Sequence, residues 1–138
     1  MKYLKQGGVT FTLFYLLWRG GHKFQRLFFT YFYNLVLPNC KKNCRFGKSV
    51  YLDYPKNIFI GNSCIFGDNV SIHSEFDSSI CKIEDNVQIT NNVSIDYSGD
   101  IKIGSNTLIS SSVSILTHDH GLNPHSVPQK YSLTEVQT

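Results

Sequence analysis

Across residues 60–115 an apolar side chain returns at every sixth position: Ile60, Phe66 and Ile72, then Ile83, Ile89 and Ile95, then Ile103, Ile109 and Ile115. Four places after most of these stands a second compact residue, namely Cys64, Val70, Val87, Val93, Thr107 or Val113, and Gly, Asn, Asp and Ser fill the gaps. Strands alternate with a period of two and amphipathic helices with a period of 3.6, so a period of six fits neither as a whole element. It predicts a solenoid. Each six-residue unit gives a short strand and a tight corner, three units close one triangular coil, and inward residues stack on their equivalents in the next coil. Asn62, Asn69, Asn86, Asn92 and Asn106 fall at or near corners, where Asn tolerates left-handed backbone. Residues 73–80 and 97–100 interrupt the count and are expected as corner loops that leave the stacked strands intact. The repeat is entered irregularly between Cys40 and Asn57, with Phe46 and Leu52 six apart and a turn at 54–57.

The first 38 residues follow a different rhythm. Phe24, Leu27, Phe28, Tyr31, Phe32, Leu35 and Val36 fall at helical spacings of three and four, which predicts an amphipathic helix over 23–37 ended by Pro38. The apolar run at 9–18 is far shorter than the ~20 residues that span a bilayer, and no small-residue cleavage site follows it, so a cytoplasmic location is expected. Two readings of the helix compete. It caps the open end of the solenoid and hides its core from water, or residues 9–37 make peripheral contact with a membrane, which would place the protein at the inner face. The chain thus divides into an aromatic-rich helical segment, 1–38, and a β-helix domain, 39–138.

At 138 residues and 15.7 kDa the chain is one domain at most, with a modest core and little bulk for a self-contained enzyme. A net charge of +3, with its densest basic patch at Lys41, Lys42 and Arg45, forms no nucleic-acid stripe. Of the four cysteines only Cys40 and Cys44 are close, without a second ligand pair, so no metal site is expected. Cys64 fills the inward slot of its repeat, and Cys81 precedes Ile83 as Ile58 precedes Ile60; both read as core thiols.

The repeats run into a loop at 116–128 that carries His118, Asp119 and His120. Alone, such a triplet reads as a solvated turn or an adventitious metal site. Its register after Ile103-Gly104-Ser105-Asn106-Thr107-Leu108-Ile109 and Val113-Ser114-Ile115 changes that. Over roughly residues 45–124 the sequence resembles the hexapeptide-repeat acyltransferases, and within them the maltose, galactoside and polysaccharide O-acetyltransferase branch. The resemblance implies an all-β, left-handed parallel β-helix that transfers an acetyl group from acetyl-CoA to a hydroxyl of a sugar or cell-surface polysaccharide precursor. It also implies a homotrimer with active sites between subunits.

A gapless count from Ile103 puts the family's catalytic histidine on His120, with Gly121-Leu122-Asn123-Pro124 matching a Pro-Leu-Asp-Pro type of pattern; His118 is the second choice. His22, His73 and His125 have no comparable placement. A hydroxyl needs a base to lose its proton as it attacks, and neutral imidazole serves near pH 7. Thr90 occupies the place of a family asparagine that contacts the acceptor sugar, so Asn91 or Asn92 is expected to substitute. Asp96 reads either as a solvated corner residue or as a group facing the same cleft, binding sugar hydroxyls or steering the imidazole. Members of the branch continue into further coils, so the chain is expected to be C-terminally truncated. The rival functions are a non-catalytic β-helical remnant or scaffold, and an N-acetyltransferase acting on an amino-sugar nucleotide.

Overall fold

The computed structural model describes the backbone of residues 2–120 and 133–135 and the side chains of Val9 and residues 12–118. A single helix, α1 (Lys2–Val36), precedes a parallel β-solenoid of about four turns. The first coil carries β1 (Arg45–Phe46), β2 (Tyr51–Leu52) and β3 (Ile58–Ile60), and the second β4 (Ile65–Phe66), β5 (Ser71–His73) and β6 (Cys81–Ile83). The third carries β7 (Gln88–Ile89), β8 (Ser94–Asp96) and β9 (Ile101–Ile103), and the fourth β10 (Leu108–Ile109) and β11 (Ser114–Leu116). Equivalent strands pair in parallel into three sheets: β1-β4-β7-β10, β2-β5-β8-β11 and β3-β6-β9.

The six-residue rhythm maps directly onto this register. Phe46, Phe66, Ile89 and Ile109 form one inward column, Leu52, Ile72, Ile95 and Ile115 a second, and Ile60, Ile83 and Ile103 a third. Most of these side chains are fully buried, as are Cys64 and Cys81. Each buried Phe or Ile removes enough apolar area to contribute ~1.5–3 kcal/mol, so stacked columns hold together coils that no single coil could stabilise. The interruptions behave as corner loops. Ile72 still pairs with Ile95, and Cys81 with Ile101, across them.

Corners are built from a repeated backbone device. The second turn residue has positive φ at Asn43, Ser49, Ser63, Asn69, Asn86, Asn92, Asn106 and Ser112. At one corner the left-handed residue is therefore Ser63, and the neighbouring Asn62 uses its amide to reach the Asp85 carboxylate. Successive corners are stitched through the first turn residue: Lys48 N–H donates to Asp68, Asn62 N–H to Asp85, and Asp68 N–H to Asn91. The acceptor stands directly over a glycine; a Cβ on Gly67 would lie 2.4 Å from Asn91 Oδ1 and 2.7 Å from the Thr90 carbonyl carbon.

Helix α1 is longer than its apolar spacing over 23–37 predicts. It runs unbroken through Gly20 and Gly21, because a mid-helix glycine costs only ~1 kcal/mol relative to alanine and the apolar spacing continues upstream through Leu13 and Leu17. It ends at Val36, where Leu37 N–H closes on Tyr33 O at 3.0 Å before Pro38. The first coil has an open edge whose backbone groups need partners, and the last turns of α1 supply them. Thr30 Oγ1 accepts from Phe46 N–H at 3.0 Å, Asn34 donates to Cys44 O at 3.1 Å, and the Tyr33 hydroxyl donates to Val50 O. The Tyr33 ring packs on Phe46 at 4.9 Å, and Phe46 lies parallel to Phe66 at 4.8 Å. The end is capped by the side of the helix that carries Thr30, Tyr33 and Asn34, not by its exposed apolar face. Among the described residues, no helix is long and apolar enough to cross a membrane.

Candidate functional site

Asp96 ends β8, where alternation turns Ile95 inward and Asp96 outward, yet its side chain is only 8% exposed. Its burial comes from chain segments that pass over this corner. Oδ1 accepts two hydrogen bonds from Ser98, one from N–H at 2.8 Å and one from the hydroxyl at 2.6 Å. Oδ2 lies 3.2 Å from His118 Nδ1, on an imidazole whose side chain is likewise 8% exposed. The Asp96 carbonyl accepts from the Thr117 hydroxyl at 3.0 Å, and that hydroxyl accepts from Gly99 N–H at 2.9 Å. Residue 99 has to be glycine for this crossing, since a Cβ there would stand 2.2 Å from Thr117 O.

The two corner loops complete the network. Ser79 donates to Ser98 O at 2.7 Å, and Glu75 N–H donates to the Ser98 hydroxyl at 2.8 Å. Ser74, Ser79, Asp96 and Ser98 are the polar or charged residues buried as a whole among those described, and all four belong to this one corner, as does the His118 side chain. Buried polar groups are costly unless hydrogen-bonded, so their concentration at one place marks it apart from the apolar interior. His73 is the register partner of Asp96 one coil back and places Nδ1 3.3 Å from the Ser71 hydroxyl.

The residues singled out from sequence separate into two groups. Asp96 and His118 come together. Thr90, Asn91 and Asn92 occupy the corner that precedes β8, away from the corner that follows it, and there their side chains serve the coil stacking: Thr90 donates to Ile109 O, Asn91 accepts from Asp68 N–H and Asn92 accepts from Asn69. The backbone of His120 lies in β12 (His118–His120), which pairs antiparallel with β13 (Leu133–Glu135), so the first part of the expected loop is strand. The side chain of His120, and residues 121–128 of that loop with His125, lie outside the described residues. His22 packs edge-on against Trp18 at 4.4 Å, remote in sequence from the corner. Sequence reasoning passed over Ser74, Ser79 and Ser98; the signal they offered was serine recurring in both insertions to the six-residue count.

The corner can perform proton-transfer chemistry. A carboxylate beside Nδ1 favours the tautomer protonated there, which makes Nε2 the basic nitrogen. The buried thiols are poor nucleophiles: hydrogen bonding with Cys40 raises the Cys44 pKa to about 11, hydrogen bonding with Cys44 raises that of Cys64, and burial raises that of Cys81 to about 12, whereas that of the half-buried Cys40 is lowered by its hydrogen bond with Cys44. The three buried groups stay as neutral thiols near pH 7. An open groove of about 790 Å³ runs over the third sheet, lined by Phe59, Lys41, Lys82 and Glu84 among others, and does not include Asp96 or His118. The chain matches no protein-family profile, no curated protein and no solved structure.

Proposed function

We propose that the protein is an acetyl-CoA-dependent O-acetyltransferase acting on a sugar or polysaccharide precursor, with His118 as general base and Asp96 as the residue that positions it. The observation that carries this reading is the Asp96–His118 pair, an imidazole held by a buried carboxylate at the edge of a solenoid. In the proposed reaction Nε2 of His118 takes the proton of the acceptor hydroxyl as its oxygen attacks the thioester carbonyl. The tetrahedral intermediate collapses with loss of the C–S bond, and the imidazolium returns its proton to the leaving thiolate. Asp96 stabilises the transient imidazolium and holds the ring in one tautomer. A left-handed coil and a trimer that sets this corner against a neighbouring subunit belong to the same proposal.

The test is thiol release from acetyl-CoA in the presence of sugar acceptors, run on the whole chain and on His118→Ala, His120→Ala and Asp96→Asn. A positioned base contributes about 10² to 10⁴ in rate, so His118→Ala is expected to lose that much. Asp96→Asn should lose less and shift the pH profile, while His120→Ala retains most of the rate. Full activity in His118→Ala transfers the role to another group. Absence of acetyl-CoA binding by the wild type favours a scaffold without chemistry, and faster transfer to amines than to hydroxyls makes the enzyme an N-acetyltransferase.

A further inference from the structure

Capping accounts for only one stripe of α1. Arg19, Lys23, Arg26, Thr30 and Asn34 follow one another at spacings of three and four, and Thr30 and Asn34 are the residues that bond the first coil. Leu13, Leu17, Phe24, Phe28, Tyr31 and Leu35 follow a second stripe at spacings of three, four and seven, on the side away from the solenoid. With Leu16, Leu27, Phe14 and Phe32 beside them, the apolar side chains cover an arc of roughly 160°, close to half the helix circumference. They are bare: Leu17 is 75% exposed, Phe24 71% and Tyr31 72%. So wide a face is too broad for the narrow seam of a helix pair.

Charge identifies what covers it. Nine of the thirteen Lys and Arg, and none of the ten Asp and Glu, precede Asp53, so this part of the chain carries +9 and the remainder −6. A second copy apposed through α1 would set the two positive parts against each other, which like charges oppose. An anionic lipid surface is complementary on both counts, taking apolar and aromatic side chains into the headgroup boundary and attracting the net positive charge of this part of the chain through its negative surface potential. We infer that α1 lies flat on an anionic membrane surface, apolar stripe down, and that its polar stripe holds the solenoid on the water side. This rests on α1 and its charge alone, and holds whether or not the corner at Asp96 is an acetyltransferase site.

Trp18, the chain's one tryptophan, is 55% exposed on α1 and reports insertion directly. Whole protein mixed with phosphatidylcholine vesicles containing phosphatidylglycerol should co-sediment and show blue-shifted Trp18 emission, with much weaker effects on pure phosphatidylcholine and at high salt. Replacing Leu17, Phe24 and Phe28 together by Glu should cut vesicle binding at least about tenfold. Because these side chains are exposed, on the side of α1 away from Thr30 and Asn34, the thermal transition of the solenoid should stay where it was. Unaltered binding by the triple variant, equal binding to both vesicle types, or unshifted Trp18 emission overturns the inference. So does concentration-dependent self-association through the same three side chains without vesicle binding.

Discussion

Phe66 and Phe24 are the same side chain in two parts of the molecule with opposite surroundings. Phe66 is fully buried, stacked on Phe46 and in register with Ile89, whereas Phe24 is exposed on α1. Within the coils each apolar position is explained by its equivalent twenty or so residues away. Along α1 the exposed apolar face has no such equivalent among the described residues, and the helix is fixed from its other side by hydrogen bonds of Thr30 and Asn34 and by the Tyr33 ring on Phe46. An apolar pattern therefore predicts burial but not what does the burying.

The largest effect that separates the two regions is on stability. Phe66→Ala should destabilise by about 3–5 kcal/mol, because it opens a void in a closed column. Phe24→Ala should change stability by no more than about 0.5 kcal/mol. Denaturant midpoints of the two variants measure both. If Phe24→Ala costs as much as Phe66→Ala, α1 is packed in solution and the contrast collapses.

Glycines give a smaller contrast of opposite sign. Gly67→Ala forces a methyl against Asn91 Oδ1 and Thr90 backbone, and overpacking of this kind costs about 1–3 kcal/mol. Gly20→Ala meets nothing within 4 Å and removes the glycine penalty from a helix interior, so it should strengthen α1 by up to about 1 kcal/mol. Circular dichroism of the helix signal, followed through the same denaturation, distinguishes the two. A destabilising Gly20→Ala would mean that α1 bends or packs at that point.

Much of the fold was legible because a repeat states the same physical requirement many times. Ile60, Ile83 and Ile103 announce one column, and Asn69, Asn86, Asn92 and Asn106 announce corners through the backbone they tolerate. The polar seal between Thr30 and Phe46 was not legible, since it depends on which strand of the first coil lies under the helix, and no periodicity encodes that. The site was half legible. Asp96 and His118 each stood out, but their pairing depends on Thr117 crossing over Gly99, 18 residues away, and on Ser98 turning back to Asp96, contacts that no six-residue count encodes. A count from Ile103 favoured His120 over His118; the His118 imidazole meets the Asp96 carboxylate, a contact that counting along a chain does not encode, and the His120 side chain lies outside the described residues.

The smallest effect tests the corners against the helix through pH. Hydrogen bonds from the backbone and side chain of Asn62 hold the Asp85 carboxyl below its ordinary value of 3.8, and α1 contains no carboxylate. A depressed folded-state pKa means that the unfolded chain binds the proton more readily. The Asp85 contribution is therefore fully present above the ordinary carboxylate range and is lost as pH falls through its folded value. Denaturation midpoints taken from about pH 6 to pH 3 should fall, and Asp85→Asn should remove a small part of that fall. Asn91 already accepts the equivalent bond from Asp68 at 2.8 Å with an amide oxygen, so the substitution should leave the corner intact near neutral pH. If the acid sensitivity of Asp85→Asn equals that of the wild type, the bond from Asn62 does not distinguish the folded from the unfolded carboxylate, and the stitching at that corner rests on backbone pairing alone.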